Sequence, residues 1–345
     1  MTLMTLVEAS REALRREMAR DRSIYVLGED VRQGGIFGQY NGLAAEFGPD
    51  RIVDTPIAEA TMVGSAVGAA MMGFRPIIET RFSDFALSAI DEIVNQAAKT
   101  RFMFGGQTKV PLIVRMPSGL RQGSGAQHSQ SLEAWFVHIP GLVVAAPASP
   151  ADAAGLMVSA LRGDDPVIMM EAKELWQMRG EVDDPGRPVP FGAARFLRNG
   201  HDATVVVWSA AAKAGVDAAA LLARHGVTVD LIDLRTLWPW DKASVLESVA
   251  RTGRLIVAHE SVRDGGFGAE IAATVAEELH DVLRAPVKRV ASPRIPVGHA
   301  PTLESLCRVT APQIALAVGA ACEMRLDIEP PQAPPAAKPP LEHRL

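Results

Sequence analysis

One acidic side chain, Glu59, stands inside a stretch of small and apolar residues at 54–73 (DTPIAEATMVGSAVGAAMMG). No Lys or Arg lies within five residues of it on either side, so the local sequence offers it no ion pair. A carboxylate in apolar surroundings resists ionisation and can donate or accept a proton near neutral pH. The alternative is that Glu59 only complements the positive end of a helix dipole. Both interpretations stay open for this stretch taken alone.

The second candidate is His128, in the polar loop 118–131 (SGLRQGSGAQHSQS) that follows a strongly apolar segment. Loops at the carboxyl ends of parallel strands are where ligands bind in open α/β sheets. An imidazole there can act as an acid or base, or can polarise a substrate. A solvent-facing histidine in a flexible loop is the alternative.

Two further motifs give weaker signals. His259 and Glu260 close an apolar segment, and a structural hydrogen-bonded pair is the favoured interpretation there. The segment 265–270 (GGFGAE) resembles a phosphate-cradling turn at a helix N-terminus. It lacks the full dinucleotide fingerprint and the Lys-Ser/Thr of a P-loop, so it does not define a nucleotide site.

The elements that must position these residues follow from apolar periodicity and helix punctuation. A helix is predicted over 56–73, capped by Asp54 or Thr55, with Pro56 in its first turn. Asp84 is predicted to cap a second helix that continues through Thr100. Helices are also predicted over 3–20, from Ser149-Pro150 to Arg162, over about 211–225, from Asp241, after Gly268 and from Thr310, and strands over 24–28, 76–82, 110–116, 142–145, 166–171, 204–208, 227–234, 255–260 and 287–290.

Strands that alternate with helices predict an α/β fold, with mainly parallel sheets covered by helices on both faces. The length of 345 residues favours two domains. We predict a first domain at 1–180, a linker at 181–192 where the periodicity is lost, and a second domain at 193–326. The tail 327–345 holds six of the 24 prolines and is predicted to be disordered or a tether for a partner.

Composition excludes several classes of function. The net charge is −5 and the basic residues are scattered, which argues against a nucleic-acid partner. Cys307 and Cys322 form neither a disulfide framework nor a zinc spacing, which favours a reducing, cytoplasmic location. The weakly polar run 60–73 is shorter than the roughly 20 residues that span a bilayer. We therefore expect a cytoplasmic protein with no membrane partner.

Several motifs occur together in a specific order: 28–31 (GEDV), 54–59 (DTPIAE), 84–85 (DF), 89–99 (AIDEIVNQAAK), 126–131 (AQHSQS), 140–142 (PGL), 232–237 (IDLRTL) and 265–270 (GGFGAE). In this order they resemble the beta subunit of the thiamine-diphosphate-dependent, decarboxylating component of 2-oxo acid dehydrogenase complexes. These proteins belong to the transketolase-like superfamily. The resemblance covers roughly residues 5 to 320, which is nearly everything but the tail.

The resemblance implies a pyrimidine-binding domain followed by a transketolase C-terminal domain. It implies an alpha-two beta-two heterotetramer with thiamine diphosphate at each alpha–beta interface and magnesium held by the alpha subunit. The sequence agrees on one point, because it has no Gly-Asp-Gly, the motif that anchors the magnesium diphosphate in such enzymes. A lipoyl-bearing acyltransferase core, with its lipoyl and peripheral subunit-binding domains, is the further implied partner.

The resemblance also assigns roles to site residues. The glutamate matching Glu59 hydrogen-bonds the N1′ nitrogen of the cofactor's aminopyrimidine, which favours the imino tautomer that deprotonates the thiazolium. Ile57 and the aromatic Phe85 would contact the same ring, and His128 would lie in the channel to the substrate and the lipoyl group. Some members also hold a structural potassium ion through residues matching Leu112, Ala160, Leu161, Gly163 and Asp165. Gly163 and Asp165 stand where other side chains occur in the family.

The resemblance leaves the substrate open. The contexts of 126–128 and 135–140 are nearer to pyruvate- or acetoin-specific members, whereas the pair at 259–260 occurs more in branched-chain ones. Pyruvate is the default prediction. Two alternatives remain: a non-catalytic scaffolding chain of the same fold, and half of a transketolase or deoxyxylulose-phosphate synthase. Retention of Glu59 argues against the first, and the missing magnesium motif argues against the second.

Overall fold

The computed structural model of the chain describes residues 1–329. Most of the predicted tail therefore lies outside the described residues. The described strands form a seven-stranded sheet, a five-stranded sheet and a two-stranded ribbon. Both large sheets are mainly parallel and packed against helices, so the predicted fold class is confirmed.

The seven-stranded sheet is built mostly from the first half of the chain. In sheet order its strands are β12 (Thr236–Trp238), β6 (Val143–Ala145), β7 (Val167–Ala172), β5 (Ile113–Ser118), β4 (Arg75–Glu79), β2 (Ile24–Gly28) and β3 (Ile52–Asp54). Strand β12 runs antiparallel to β6, and the other neighbouring pairs are parallel. Strands β5 and β7 are buried along their whole length, as central parallel strands require.

The five-stranded sheet belongs to the second half. In sheet order its strands are β14 (Lys288–Ser292), β13 (Leu255–Val262), β10 (Ala203–Val207), β11 (Val229–Asp233) and β9 (Arg195–Arg198), and the separate antiparallel ribbon pairs β1 (Thr2–Thr5) with β8 (Arg179–Val182). Only β9 runs antiparallel among the described strands of this sheet.

Helices connect most of the strands and cover both faces of each large sheet. They are α1 (Leu6–Arg20), α2 (Leu43–Phe47), α3 (Glu59–Met71), α4 (Ala98–Met103), α5 (Glu133–Val137), α6 (Pro150–Arg162), α7 (Ala210–Ala223), α8 (Lys242–Thr252), α9 (Gly268–Leu279), α10 (Pro301–Glu304) and α11 (Ala311–Ala321). The starts predicted for α6 and α8 are confirmed. Ser149 accepts a hydrogen bond from the Asp152 amide, and Asp241 accepts one from the Ser244 amide.

The predicted start of the helix that carries Glu59 is wrong. Helix α3 begins at Glu59, its N-cap is Ala58, and no side chain caps it. Asp54 is still the last residue of β3, and the Thr55 amide donates to the Gly28 carbonyl at 3.0 Å. The chain therefore remains bound to the sheet beyond Asp54, and Pro56 precedes the helix instead of entering its first turn.

The predicted single helix over 84–100 is also wrong. The segment divides into a 3₁₀ helix (Phe85–Ala89), a π-helical segment (Glu92–Ala97) and α4. Asp84 makes no capping hydrogen bond there, because its Oδ1 accepts from Gln130 Nε2 at 2.8 Å. A tertiary contact with the loop of His128 thus replaces the predicted local cap.

The two halves of the chain are joined through the sheet itself. Strand β12 comes from the second half yet pairs with β6, and the Ala146 amide donates to the Arg235 carbonyl at 2.8 Å. Strand β8 places residues 181 and 182 in the ribbon with β1. The residue boundaries proposed for the domains and the linker stay a prediction.

A buried polar cluster fixes the centre of the first sheet. The Arg115 guanidinium, with its side chain 1% exposed, donates to Glu171 Oε2 at 2.9 and 3.1 Å and to Ser10 Oγ at 3.1 Å. Tyr40 donates its hydroxyl proton to Glu79 Oε2 at 2.6 Å and packs its ring against Arg115. The cluster thereby connects the middle of β5 with the carboxyl ends of β4 and β7 and with α1.

Glu79 should make the stability of the protein depend on pH. Burial raises the pKa of its carboxyl to about 7, against the opposing effect of Arg115. The folded protein therefore holds this proton more tightly than the unfolded chain, whose carboxyl titrates near 4.5. The stabilising contribution is complete below about pH 4.5 and is lost as the pH rises through about 7.

Glu79→Gln removes this dependence and keeps an oxygen for Tyr40. As the pH rises from about 5 to about 8, we expect the variant to become more stable than the parent by about 3 kcal/mol. Its melting temperature should rise relative to that of the parent over the same range. Differential scanning fluorimetry across a pH series measures it, with the exposed Glu277→Gln as control. Parallel melting curves for parent and Glu79→Gln would contradict the assignment.

Candidate active site

The candidate residues converge at one edge of the seven-stranded sheet. Parallel strands bring their carboxyl ends to the same edge, and β4, β5 and β7 end there at Glu79, Ser118 and Ala172. The segment after β4 contains the 3₁₀ helix Phe85–Ala89, and the one after β5 contains the loop of His128. Residues far apart in sequence are therefore placed side by side.

Glu59 is the first residue of α3 and is 8% exposed. Ser88 donates its hydroxyl proton to Glu59 Oε2 at 3.0 Å, and Ser88 lies on the 3₁₀ helix that begins with Phe85. The partner of Glu59 in this hydrogen bond is a neutral hydroxyl group and not a positively charged side chain. Ile57, two residues earlier, is 77% exposed. The buried side chain of Glu59 is therefore bound to the 3₁₀ helix that carries Phe85, and an exposed apolar residue lies two positions before it.

His128 is held between two aromatic rings. Its ring centroid lies 4.9 Å from that of Phe82 and 5.1 Å from that of Phe85, and both contacts are T-shaped. Phe82 and Phe85 also pack edge to face on each other, 5.3 Å apart. The imidazole is half-buried. It is therefore packed at the site edge and not a free side chain in solvent.

The loop of His128 is tied to its surroundings through main-chain atoms. The Gly119 amide donates to the Gln130 carbonyl at 3.2 Å, and Ser83 Oγ donates to the same carbonyl at 2.9 Å. Lys173 Nζ donates to the His128 carbonyl. Lys173 was not predicted as a site residue, although a lysine directly after a buried parallel strand is a signal that points to this edge.

The weaker motif at His259 has a structural explanation. Its ring is fully buried, stacks on Trp208 with centroids 4.8 Å apart, and shares a 2.9 Å hydrogen bond between Nδ1 and Ser261 Oγ. Burial lowers the pKa of His259 to about 4, so the ring is neutral at pH 7. A Cβ added at Gly268 would lie 2.6 Å from His259 Nε2. The glycine at this position makes room for the ring.

The five residues matched to a potassium site lie at one corner of the sheet. Leu112 directly precedes β5. Ala160 and Leu161 lie in the last turn of α6, and Gly163 and Asp165 lie between α6 and β7. Arg75 Nη1 donates to the Leu161 carbonyl at 3.1 Å and also to the Gly163 carbonyl. These two oxygens therefore already face a cation, and the potassium site stays a prediction.

The described residues contain neither a metal-binding cluster nor a helix that could span a membrane. Within residues 1–329, no group of three or more His, Cys, Asp or Glu side chains is arranged to hold a metal ion. No helix in the same range is long and apolar enough to cross a bilayer.

Family models match both halves of the chain. Residues 3–178 match the transketolase pyrimidine-binding domain, and residues 192–314 match the transketolase C-terminal domain. Among solved structures, the chain described as "Split gene transketolase, inactive beta4 tetramer" superposes with a TM-score of 0.77 at 24% identity, covering 93% of this chain and 99% of that one. At this sequence identity, the structural similarity shows that the two chains share a fold.

Curated relatives share more of the sequence. The beta subunit of acetoin:2,6-dichlorophenolindophenol oxidoreductase from Cupriavidus necator is 42% identical over 90% of this chain and 94% of its own length. The pyruvate dehydrogenase E1 component subunit beta of Rickettsia bellii is 42% identical over 93% and 99%, and the 2-oxoisovalerate dehydrogenase subunit beta of Bacillus subtilis is 38% identical over 92% and 98%. The chain belongs to the family of beta subunits of thiamine-diphosphate-dependent 2-oxo acid dehydrogenase components.

Proposed function

We propose that this chain, together with an alpha subunit, decarboxylates a 2-oxo acid and passes the acyl group to a lipoyl domain. The observation that carries the proposal is the cluster of Glu59, Phe85 and His128 at one sheet edge, in a chain of this family. Pyruvate is the substrate we propose. Relatives named for pyruvate, acetoin and 2-oxoisovalerate are similarly identical to this chain, so overall identity does not separate these substrates.

The residues at this edge suit the aminopyrimidine of thiamine diphosphate. Glu59 presents a buried carboxylate that can accept a hydrogen bond from a protonated ring nitrogen. Phe85 offers an aromatic ring and Ile57 an exposed apolar side chain for a planar heterocycle. When bound, the cofactor supplies the electron sink for loss of carbon dioxide. In this proposal Glu59 holds the proton on the pyrimidine nitrogen, and His128 meets the substrate or the lipoyl group.

The partner chain completes the proposed site. The sequence has no Gly-Asp-Gly motif, so we propose that the alpha subunit holds magnesium and the diphosphate. An alpha-two beta-two heterotetramer that docks on a lipoyl-bearing acyltransferase core is the assembly we propose. Both cysteines in the described range are free thiols, which supports a reducing compartment such as the cytoplasm.

Glu59→Gln tests the role of the carboxylate. The change keeps the shape but removes an acid–base group, so we expect turnover to fall about a hundred- to ten-thousand-fold. The melting temperature should barely change, because the swap is nearly isosteric. Decarboxylation by the reconstituted assembly is measured with an artificial electron acceptor, which bypasses lipoyl transfer.

Glu270→Gln is the matched control, since Glu270 is also an acidic residue in the first turn of a helix. If Glu59 only complements a helix dipole, both variants should lose about 0.3–1 kcal/mol of stability and keep their activity. A Glu59→Gln assembly within about threefold of the parent rate would refute the proposed function, because acid–base catalysis predicts a larger loss.

His128→Ala tests the second site residue. We expect the variant to bind the cofactor as the parent does but to turn over substrate, or to transfer the acyl group to a lipoyl domain, at least about tenfold more slowly. Calorimetry measures the first quantity and a coupled lipoyl-reduction assay the second. His280→Ala, at an exposed position, is the control. Full activity with the lipoyl acceptor would show that His128 takes no part in the reaction.

The need for a partner makes a separate prediction. The isolated chain should bind thiamine diphosphate weakly, because the diphosphate contributes much of the binding and its magnesium site is missing. Calorimetry with and without magnesium measures the affinity of the chain alone and of the assembly. Magnesium-dependent binding at about micromolar affinity by the isolated chain would contradict the proposed division of the site.

A further inference from the structure

Lys173 is a buried lysine that the proposed chemistry does not use. It follows directly after β7, and the residue is 2% exposed. In the described part of the chain its ammonium group forms no ion pair, and the neighbouring carboxylates of Glu171 and Glu174 pair with Arg115 and Arg308 instead. Burying a cation without a close counter-ion costs free energy, so other contacts of Lys173 must compensate for the lost hydration.

Both of those contacts lead to His128. The ammonium group donates to the His128 carbonyl and lies 4.9 Å from the centroid of the Phe82 ring, as in a cation–π interaction. The Phe82 ring packs in turn on the His128 imidazole. Lys173 therefore contacts His128 directly at the main-chain carbonyl of His128, and indirectly through the Phe82 ring.

The loop that carries His128 has a backbone that needs such a restraint. Gly119, Gly123, Gly125 and even Gln122 adopt positive φ, and glycines at such positions are flexible in the absence of contacts. The loop base is closed by a hydrogen bond between Gly119 and Gln130. Lys173 binds beside this base, at the carbonyl of His128, two residues before Gln130.

The electrostatic setting supports this role. Burial lowers the pKa of Lys173 to about 8; Arg121 also lowers it, while Asp84, Glu304 and Glu260 raise it. Asp84, which raises the pKa of Lys173 the most among these carboxylates, accepts a hydrogen bond from Gln130 Nε2, two residues from His128. The lysine ammonium is left to bind a carbonyl and an aromatic face.

We propose that Lys173 is a positioning residue for His128. Its ammonium group binds the main-chain carbonyl of His128 and also the ring of Phe82, which packs on the His128 imidazole. The catalytic part of this inference rests on the proposed function of His128. The structural part, that Lys173 orders the loop, does not depend on it.

The first experiment measures the loop. Lys173→Met keeps the length and apolar stem of the side chain and removes the donor, and the assembly is reconstituted with its alpha subunit. Amide hydrogen exchange over residues 119–131 should become about tenfold faster, the size expected for losing a hydrogen bond from a charged donor. Trypsin cleavage after Arg121 should accelerate in parallel.

Lys99→Met is the matched control, because Lys99 Nζ also donates to a main-chain carbonyl, that of Pro140, at 2.6 Å. It should leave exchange in the loop unchanged. Lys173→Leu, which also removes the donor, serves as the second variant if Lys173→Met does not assemble. Loop exchange equal to the parent in the lysine-173 variant that assembles would overturn the proposal.

The second experiment separates positioning from general stability. We expect Lys173→Met to lower kcat about tenfold with KM within about twofold, and Lys173→Arg to restore most of the rate. In a His128→Ala background, Lys173→Met should have no further effect, because the two changes remove the same contribution. An equal loss in both backgrounds would show that Lys173 does not act through His128.

The two proposals can fail separately. If the loop loosens in Lys173→Met while His128→Ala keeps full activity, the restraint by Lys173 is supported and the role of His128 is refuted. If His128→Ala is slow but the loop is unchanged in Lys173→Met, the role of His128 stands and the restraint is refuted.

Discussion

The buried guanidinium of Arg115 is the constraint on which the edge of the sheet with the candidate site depends. It lies in the middle of β5, is shielded from water, and binds Glu171 on the neighbouring strand β7. Removing one partner of such a buried pair costs roughly 3–5 kcal/mol, because the other charge is left without compensation. The register of β5 against β7 is therefore fixed near their carboxyl ends, and so are the starting points of the segments that follow.

Those segments carry the candidate chemistry. Ser118 ends β5 and opens the loop of His128, whereas Ala172 ends β7 and is followed by Lys173. Strand β4 ends at Glu79, whose carboxylate belongs to the same buried cluster. A rigid scaffold with mobile segments at its edge is the usual arrangement for a binding site in a parallel sheet. Here the scaffold also supplies the contacts that hold the loop.

The second half of the chain is part of this site as well as a separate unit. Glu304 accepts a hydrogen bond from the Gly123 amide, and His299 is bound to the Gly123 carbonyl, so residues near α10 hold the middle of the loop. Trp208, which directly follows β10 of the five-stranded sheet, donates its indole N–H to Glu133 Oε1 at 3.0 Å. Displacing the second unit would therefore disturb the loop of His128, although no residue of that unit is proposed to react.

The sequence by itself determined the fold class, the alternation of most strands and helices, and the family, because apolar periodicity, local caps such as Ser149 and ordered motifs are properties of short segments. Tertiary structure alone decided the start of α3, the division of the segment after Asp84, and the transfer of β12 to the first sheet. It also decided that Lys173 meets His128. Each of these depends on hydrogen bonds or strand pairs between residues far apart in the chain, and such contacts leave no periodic signal in a local window.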